Sequence, residues 1–165
     1  MQSDVRVGIG YDIHRLVAGR RLLLGGIEVP FDRGLAGHSD ADVVLHAVMD
    51  ALLGAAGLPD IGELFPDTDE AFRGADSREL LRLVMQRVHT RGVRPHNVDV
   101  IVHAEAPKLT PHKRAIAESI AELLNLPADR VGVKAKTGEG LGAVGTGEAI
   151  ACTAAALLVG SPRSV

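Results

Sequence analysis

Apolar and polar residues change their period several times along the chain, and each change marks an element. Arg6 to Tyr11 alternates as a half-buried strand does, with Asp12-Ile13-His14 at its end. Arg20 to Val29 reads as one or two short strands interrupted by Gly25 and Gly26, and Pro30 to Gly37 as a loop. Val43, Val44, Val48, Leu52 and Leu53 then recur at helical spacing; Ser39 or Asp40 suits the N-cap and Gly57 the terminus. Leu58 to Asp69, rich in turn formers and acids, is either a connector or a lid.

Ser77 is placed to cap a second helix that buries Leu80, Leu81, Val84 and Val88 and ends at Gly92. Val98, Val100 and Val102 alternate as a strand, and Ala104 to Leu109 leaves it as a loop. Thr110 and Pro111 suit the start of a third helix carrying Ile116, Ile120, Leu123 and Leu124. Val131, Val133 and Ala135 form another strand. Ala149 to Val159 is an apolar run that periodicity assigns to neither helix nor strand. Strands and helices alternate irregularly, without repeat or linker, which favours an α+β or mixed-sheet arrangement over a doubly wound one.

Composition narrows the function classes. At 165 residues, 46% hydrophobic and 24% charged, the chain is expected to form one domain, residues 1–165, with a sizeable core. A net charge of -3 and only four aromatics (Tyr11, Phe31, Phe65 and Phe72) argue against a nucleic-acid surface, which wants a basic field and stacking rings. No signal segment or apolar run of membrane-spanning length is evident, and Cys152 is the single cysteine, so the expected location is cytoplasmic, with no membrane partner.

Titratable groups concentrate between Gly37 and Asp50. Asp42, His46 and Asp50 are four apart and share a helix face, while His38 and Ser39 lie in the loop feeding the positive end of the helix dipole. In an extended chain Asp12 and His14 project to one side. Asp12, His14 and His46 would supply three ligands and leave a fourth position open, the pattern of a catalytic zinc; on spacing alone, solvated surface or a satisfied core histidine competes with that reading. His89, His96, His103 and His112 have no matching partners. Lys136 to Glu148 has a glycine at almost every second or third position. Backbone amides there can approach a phosphate, or the stretch is a flexible turn; it is neither a P-loop nor a dinucleotide fingerprint.

Together these segments resemble the 2-C-methyl-D-erythritol 2,4-cyclodiphosphate synthase family. The matching stretches are Gly8 to His14, Ala36 to His46, Asp50 to Leu58 running into Asp60-Ile61-Gly62, Phe65-Pro66-Asp67-Thr68-Asp69, Ala106-Pro107-Lys108, and Lys134 to Glu148, in order over nearly the whole chain. The resemblance implies an α+β domain with a mixed four- to five-stranded sheet covered by helices on one side, assembling as a homotrimer with active sites shared between subunits. It implies cyclisation of 4-diphosphocytidyl-2-C-methyl-D-erythritol 2-phosphate with release of CMP, in the non-mevalonate isoprenoid pathway. By the same resemblance Asp12, His14 and His46 hold Zn2+, and Glu139 ligates Mg2+ or Mn2+ at the diphosphate. His38 and Thr137 match positions that stabilise the transition state. Ser39, Asp60, Ile61, Gly62, Phe65, Pro66, Asp67, Thr68 and Asp69 match positions on the methylerythritol phosphate side. Ala104, Ala106, Pro107, Lys108, Leu109, Thr110, Lys136 and Gly138 match the cytidine and diphosphate pocket. Asp42 and Asp50 are candidates for orienting a ligand imidazole.

The chain departs from the family pattern in two places. Lys136, Thr137 and Gly138 stand where three threonines are usual, which adds charge and leaves Gly138 free to loosen the loop. Ala143 and Thr146 stand where a phenylalanine and an arginine are usual, which puts in doubt an isoprenoid-diphosphate site on the trimer axis. Two other functions compete: a metal-dependent phosphohydrolase, and a non-catalytic trimer that binds isoprenoid diphosphates.

Overall fold

A computed structural model describes residues 4–160. Its centre is a five-stranded mixed sheet in the order β4-β1-β7-β5-β6, formed by β1 (Val5–Ala18), β4 (Arg33–Leu35), β5 (Val93–His103), β6 (Val131–Lys136) and β7 (Ala149–Gly160). Only the β5–β6 pair is parallel. A separate hairpin joins β2 (Leu22–Leu24) to β3 (Ile27–Val29) through Gly25 and Gly26, both at positive φ. Helices α1 (Val43–Ala56), α3 (Ser77–Thr90) and α4 (Lys113–Leu124) lie on one side of the sheet, and two single-turn helices, α2 (Ile61–Leu64) and α5 (Gly142–Gly145), sit in the connections. This is the α+β arrangement expected from the sequence.

The contact between α1 and β1 sets the rest. A Cβ on Gly8 would stand 1.9 Å from the Ala51 carbonyl oxygen, and one on Gly10 would stand 1.9 Å from that of Ala47. Bare backbone on the strand therefore meets an alanine stripe (Ala47, Ala51, Ala55) on the helix. All residues of α1 except Asp50 and Gly54 are buried, because the hairpin and α3 cover the faces that the sheet does not. A helix that is apolar nearly all round belongs in the middle of a core.

Three boundaries differ from those expected. Asp12 and His14 lie within β1, which runs on to Ala18, and Arg33–Leu35 pairs with its far end, so part of the presumed loop is an edge strand. Ala149–Gly160 is a strand between β1 and β5, buried on the helix side through Ile150, Cys152, Ala154, Ala156 and Leu158. The N-caps also shift, later for α1 and α4 and one residue earlier for α3. Asp42 caps α1, Asp76 caps α3 with Ser77 as its first residue, and α4 begins after the Thr110-Pro111-His112 turn.

Asp42 is a structural group, fully buried, and does not orient an imidazole. Its Oδ1 accepts the N–H groups of Val44, Leu45 and Gly25, and its Oδ2 accepts that of Gly26 at 2.6 Å, so one carboxylate both caps α1 and ties down the β2–β3 turn. All of these donors need an acceptor. Asp42→Asn turns one oxygen into a donor facing another donor, and is expected to cost about 2–4 kcal/mol in chemical denaturation. A variant as stable as the parent would show that this cap and tie do not support the fold.

Candidate active site

Two successive helix-facing positions of β1, Asp12 and His14, and the first turn of α1 bring three ligand atoms together. Asp12 Oδ2 lies 2.8 Å from His14 Nε2 and 2.9 Å from His46 Nδ1, and the two nitrogens are 3.1 Å apart. The opposite ring nitrogens are both engaged: His14 Nδ1 lies 2.7 Å from the Ala36 carbonyl oxygen, and His46 Nε2 lies 3.1 Å from Ser77 Oγ. The Ala36 carbonyl can only accept, so His14 Nδ1 carries a hydrogen, and it is Nε2 that can give up its proton and offer a lone pair to a cation beside Asp12. A carboxylate oxygen and two imidazole nitrogens converging on one point is a donor set that suits a divalent cation, and these residues form a group able to hold one.

Electrostatics point the same way. Burial opposes the charge on Asp12, but hydrogen bonds from His14 and His46 and their charge outweigh it and hold the carboxyl well below the usual range. Burial likewise works against protonated His14, yet the Asp12 carboxylate raises its pKa above the ordinary 6.5. The site thus favours positive charge beside Asp12. Arg20 steadies its rim, donating to the carbonyls of Ser39 at 2.9 Å and Gly37 at 3.3 Å.

The three ligands open into a cavity of about 470 Å³. Gly37, His38 and Ser39 line one wall; Ile61, Gly62, Phe65 and Asp67 line another; Met49, Phe72 and Leu80 form an apolar floor. His38 Nε2 donates to the Asp69 carbonyl at 3.1 Å, linking the two polar walls. Asp60 caps α2, Asp69 caps the turn Glu70–Phe72, and Pro66 and Thr68 lie in the segment between them. Leu58 to Asp69 is thus a wall of the cavity, built on a capped turn. Asp50, its pKa raised by burial, accepts the Ile61 N–H at 2.9 Å and so positions this wall; no hydrogen bond joins it to an imidazole. Met49, Phe72 and Leu80 were missed because their spacing carries only a core signal.

The other expected residues gather elsewhere. Parallel pairing of β5 with β6 brings Ala104–Thr110 beside Lys136–Glu139: the Ala104 N–H donates to the Lys136 carbonyl at 2.9 Å, and the Gly138 N–H to Glu105 Oε2 at 3.1 Å. Thr137 Oγ1 donates to Glu139 Oε1 at 2.8 Å, and Glu139 has a positive φ of 52°. Gly138 does not loosen this loop; a Cβ there would stand 2.5 Å from the Gly145 nitrogen, so the glycines let two passes of chain touch. In register, Asp12 opposes Cys152, Cys152 opposes Val102, and Val102 opposes Ala135. The Lys136–Glu139 loop is therefore about 14 Å across the sheet from Asp12, at ~4.8 Å per strand, and contributes no residue to the cavity.

Residues 5–159 match the YgbB family. The chain belongs to this family. A relative from Burkholderia lata named 2-C-methyl-D-erythritol 2,4-cyclodiphosphate synthase is 58% identical over 156 residues, 94% of this chain and 97% of the relative. A solved synthase structure described as its CDP-bound form superposes with a TM-score of 0.85 at 43% identity, covering 93% of this chain and 99% of that one. The bifunctional IspDF of Campylobacter jejuni gives a TM-score of 0.92 at 42% identity over 96% of this chain, which spans 43% of that longer protein. The family resemblance read from the sequence holds. No helix among the described residues is long and apolar enough to cross a membrane.

Proposed function

We infer that the chain is a metal-dependent cyclising lyase of isoprenoid biosynthesis, converting 4-diphosphocytidyl-2-C-methyl-D-erythritol 2-phosphate to 2-C-methyl-D-erythritol 2,4-cyclodiphosphate and CMP. The observation that carries this reading is the Asp12, His14 and His46 donor set at the mouth of a cavity, in a chain 58% identical to a synthase of that name. The nucleophile is the substrate's own phosphate monoester, already largely dianionic because its second pKa is about 6, so a strong general base is unnecessary. The obstacle is repulsion between two anionic groups. Catalysis is then mainly positioning and charge stabilisation, with an intramolecular attack whose entropy cost is low.

In this reading Asp12, His14 and His46 would hold zinc, and Glu139, steadied by Thr137, would ligate magnesium or manganese, each supplying positive charge against the anionic groups of the substrate. Ser39 and the segments Asp60–Gly62 and Phe65–Asp69 hold the methylerythritol phosphate, with Phe65 and Phe72 giving an apolar wall. His38 and Thr137 donate to the phosphoryl oxygens on which charge grows. Ala104, Ala106–Thr110, Lys136 and Gly138 take the cytidine diphosphate end, in keeping with the CDP-bound relative.

These two sets lie on different parts of one chain, so the proposed assembly is a homotrimer in which the Lys136–Glu139 loop of one copy completes the cavity of another. The outer sheet face supports this: Val5, Val7, Ile9, Tyr11 and Ile13 are 43 to 72% exposed along β1, an apolar strip that wants a partner. The proposed compartment is the cytoplasm. Cys152, the single cysteine, is buried and free, and the fold it sits in uses no disulfide among the described residues.

Phosphorus NMR of the protein with this substrate, zinc and magnesium, with a chelator control, tests the reaction. Stoichiometric CMP and a cyclic diphosphate signal, both abolished by chelation, are expected. Inorganic phosphate in their place would identify a hydrolase, and no turnover with metal bound would leave a binding protein.

A further inference from the structure

His46 presents Nδ1 to Asp12 and His14, and its other nitrogen is held from behind by buried hydroxyls. Ser77 Oγ is 3.1 Å and Ser39 Oγ is 3.2 Å from His46 Nε2. Ser77 is wholly buried at the start of α3; its hydroxyl donates to Asp40 Oδ1, and its backbone N–H donates to Asp40 Oδ2 at 3.0 Å. Ser39 Oγ in turn accepts the Ala41 N–H at 3.1 Å. A carboxylate only accepts, so the single hydrogen of Ser77 is committed to Asp40 and the lone pairs of Ser77 face the imidazole. A hydrogen bond between Ser77 and His46 can then be donated only by Nε2.

We propose that Ser77 and Asp40 form a hydroxyl–carboxylate relay that fixes His46 as its Nε2–H tautomer, so that the Nδ1 lone pair is aimed at the cation site. Ser77 and Asp40 are positioning residues, acting through His46; the significance for metal binding rests on the reading of Asp12, His14 and His46 as the metal centre. The two ligand histidines differ here. The tautomer of His14 is set by a main-chain carbonyl, which no side-chain substitution removes, whereas that of His46 depends on replaceable groups. The relay also joins three segments distant in sequence, the Ser39–Asp40 loop, α1 and the first turn of α3.

The test uses the full chain and three variants. Ser77→Ala removes the acceptor. Asp40→Asn keeps the size but lets an amide donate to Ser77 Oγ, which turns the hydroxyl hydrogen toward His46 and favours the Nδ1–H form. Ser77→Thr keeps the hydroxyl. Nitrogen-15 NMR of the imidazoles followed through a pH titration, in metal-free protein carrying Asp12→Ala so that no carboxylate competes for a hydrogen on Nδ1, reads the tautomer. Competition with a chelator, with Asp12 intact, reads zinc affinity. The parent and Ser77→Thr are expected to show Nε2–H, while Ser77→Ala and Asp40→Asn gain Nδ1–H signal and lose zinc affinity about 10- to 100-fold. Should Ser77→Ala fail to fold, Asp40→Asn decides by the same two readouts. Folded Asp40→Asn protein with an Nε2–H signal and zinc affinity within about two-fold of the parent overturns the relay. A parent that shows Nε2–H but binds no zinc would leave the relay standing and defeat the metal reading instead.

Discussion

His46→Ala and Asp12→Asn are each expected to lower cyclisation at least about a thousand-fold, ~4 kcal/mol of transition-state stabilisation, and to lose bound metal at the same time. Asp12 Oδ2 touches both imidazoles, at 2.8 and 2.9 Å, and is the one formal negative charge among the three ligand atoms. Asparagine offers that point either a neutral oxygen or an N–H donor, and both weaken the hold on a cation. His46→Ala removes a ligand and leaves Ser39 and Ser77 facing a gap. Neither change touches the alanine stripe or the Asp42 cap, so the fold should survive with a loss of about 1–2 kcal/mol. Metal content by mass spectrometry, circular dichroism and CMP release, measured on one preparation, separate the outcomes. A folded, metal-free variant with near-parental turnover would refute the ligand assignment.

Gly10→Val is expected to destabilise the protein by more than ~4 kcal/mol and to leave little folded material. The atom that an added Cβ would strike, at 1.9 Å, is a helix carbonyl, which cannot swing aside as a flexible side chain can. Strand and helix must separate, and the residue before Ala47 is His46, so any folded remainder would carry a displaced ligand. Gly54→Ala is the control: it is exposed in the same helix with open space around its Cβ position, and should gain about 0.5–1 kcal/mol. Urea titration of both variants gives the comparison. A Gly10→Val protein as stable as the parent would mean that α1 does not rest on β1 in this way.

The same contact shows why some elements were legible and others were not. The central and second helices announced themselves because their apolar residues follow the helical period and their ends carry cap formers. The last strand did not, since both of its faces are rich in small apolar residues: Ala151 and Ala155 lie opposite Ala154 and Ala156, and the period of two disappears. The edge strand Arg33–Leu35 is too short to have a period, and only its pairing with Leu16 to Ala18 makes it a strand. Asp40 and Ser77 both look like caps in a linear reading, and Asp42 like a partner for an imidazole. In the structure Asp42 is the cap of α1, while Asp40 and Ser77 bond to each other across 37 residues.

Residue types and local spacing by themselves determined the α+β class and the main helices, because those depend on groups a few positions apart; they offered Asp12, His14 and His46 as cation ligands, and the family resemblance, not the spacing, favoured that reading. Tertiary structure alone decided which imidazole nitrogens face the ligand point, which acid is structural, and that the Asp12 cavity and the Lys136–Glu139 loop lie on different parts of the chain. Those outcomes turn on hydrogen bonds and close backbone contacts between residues tens of positions apart, whose partners are chosen only when glycine, alanine and buried carboxylate are brought within a few ångströms of one another.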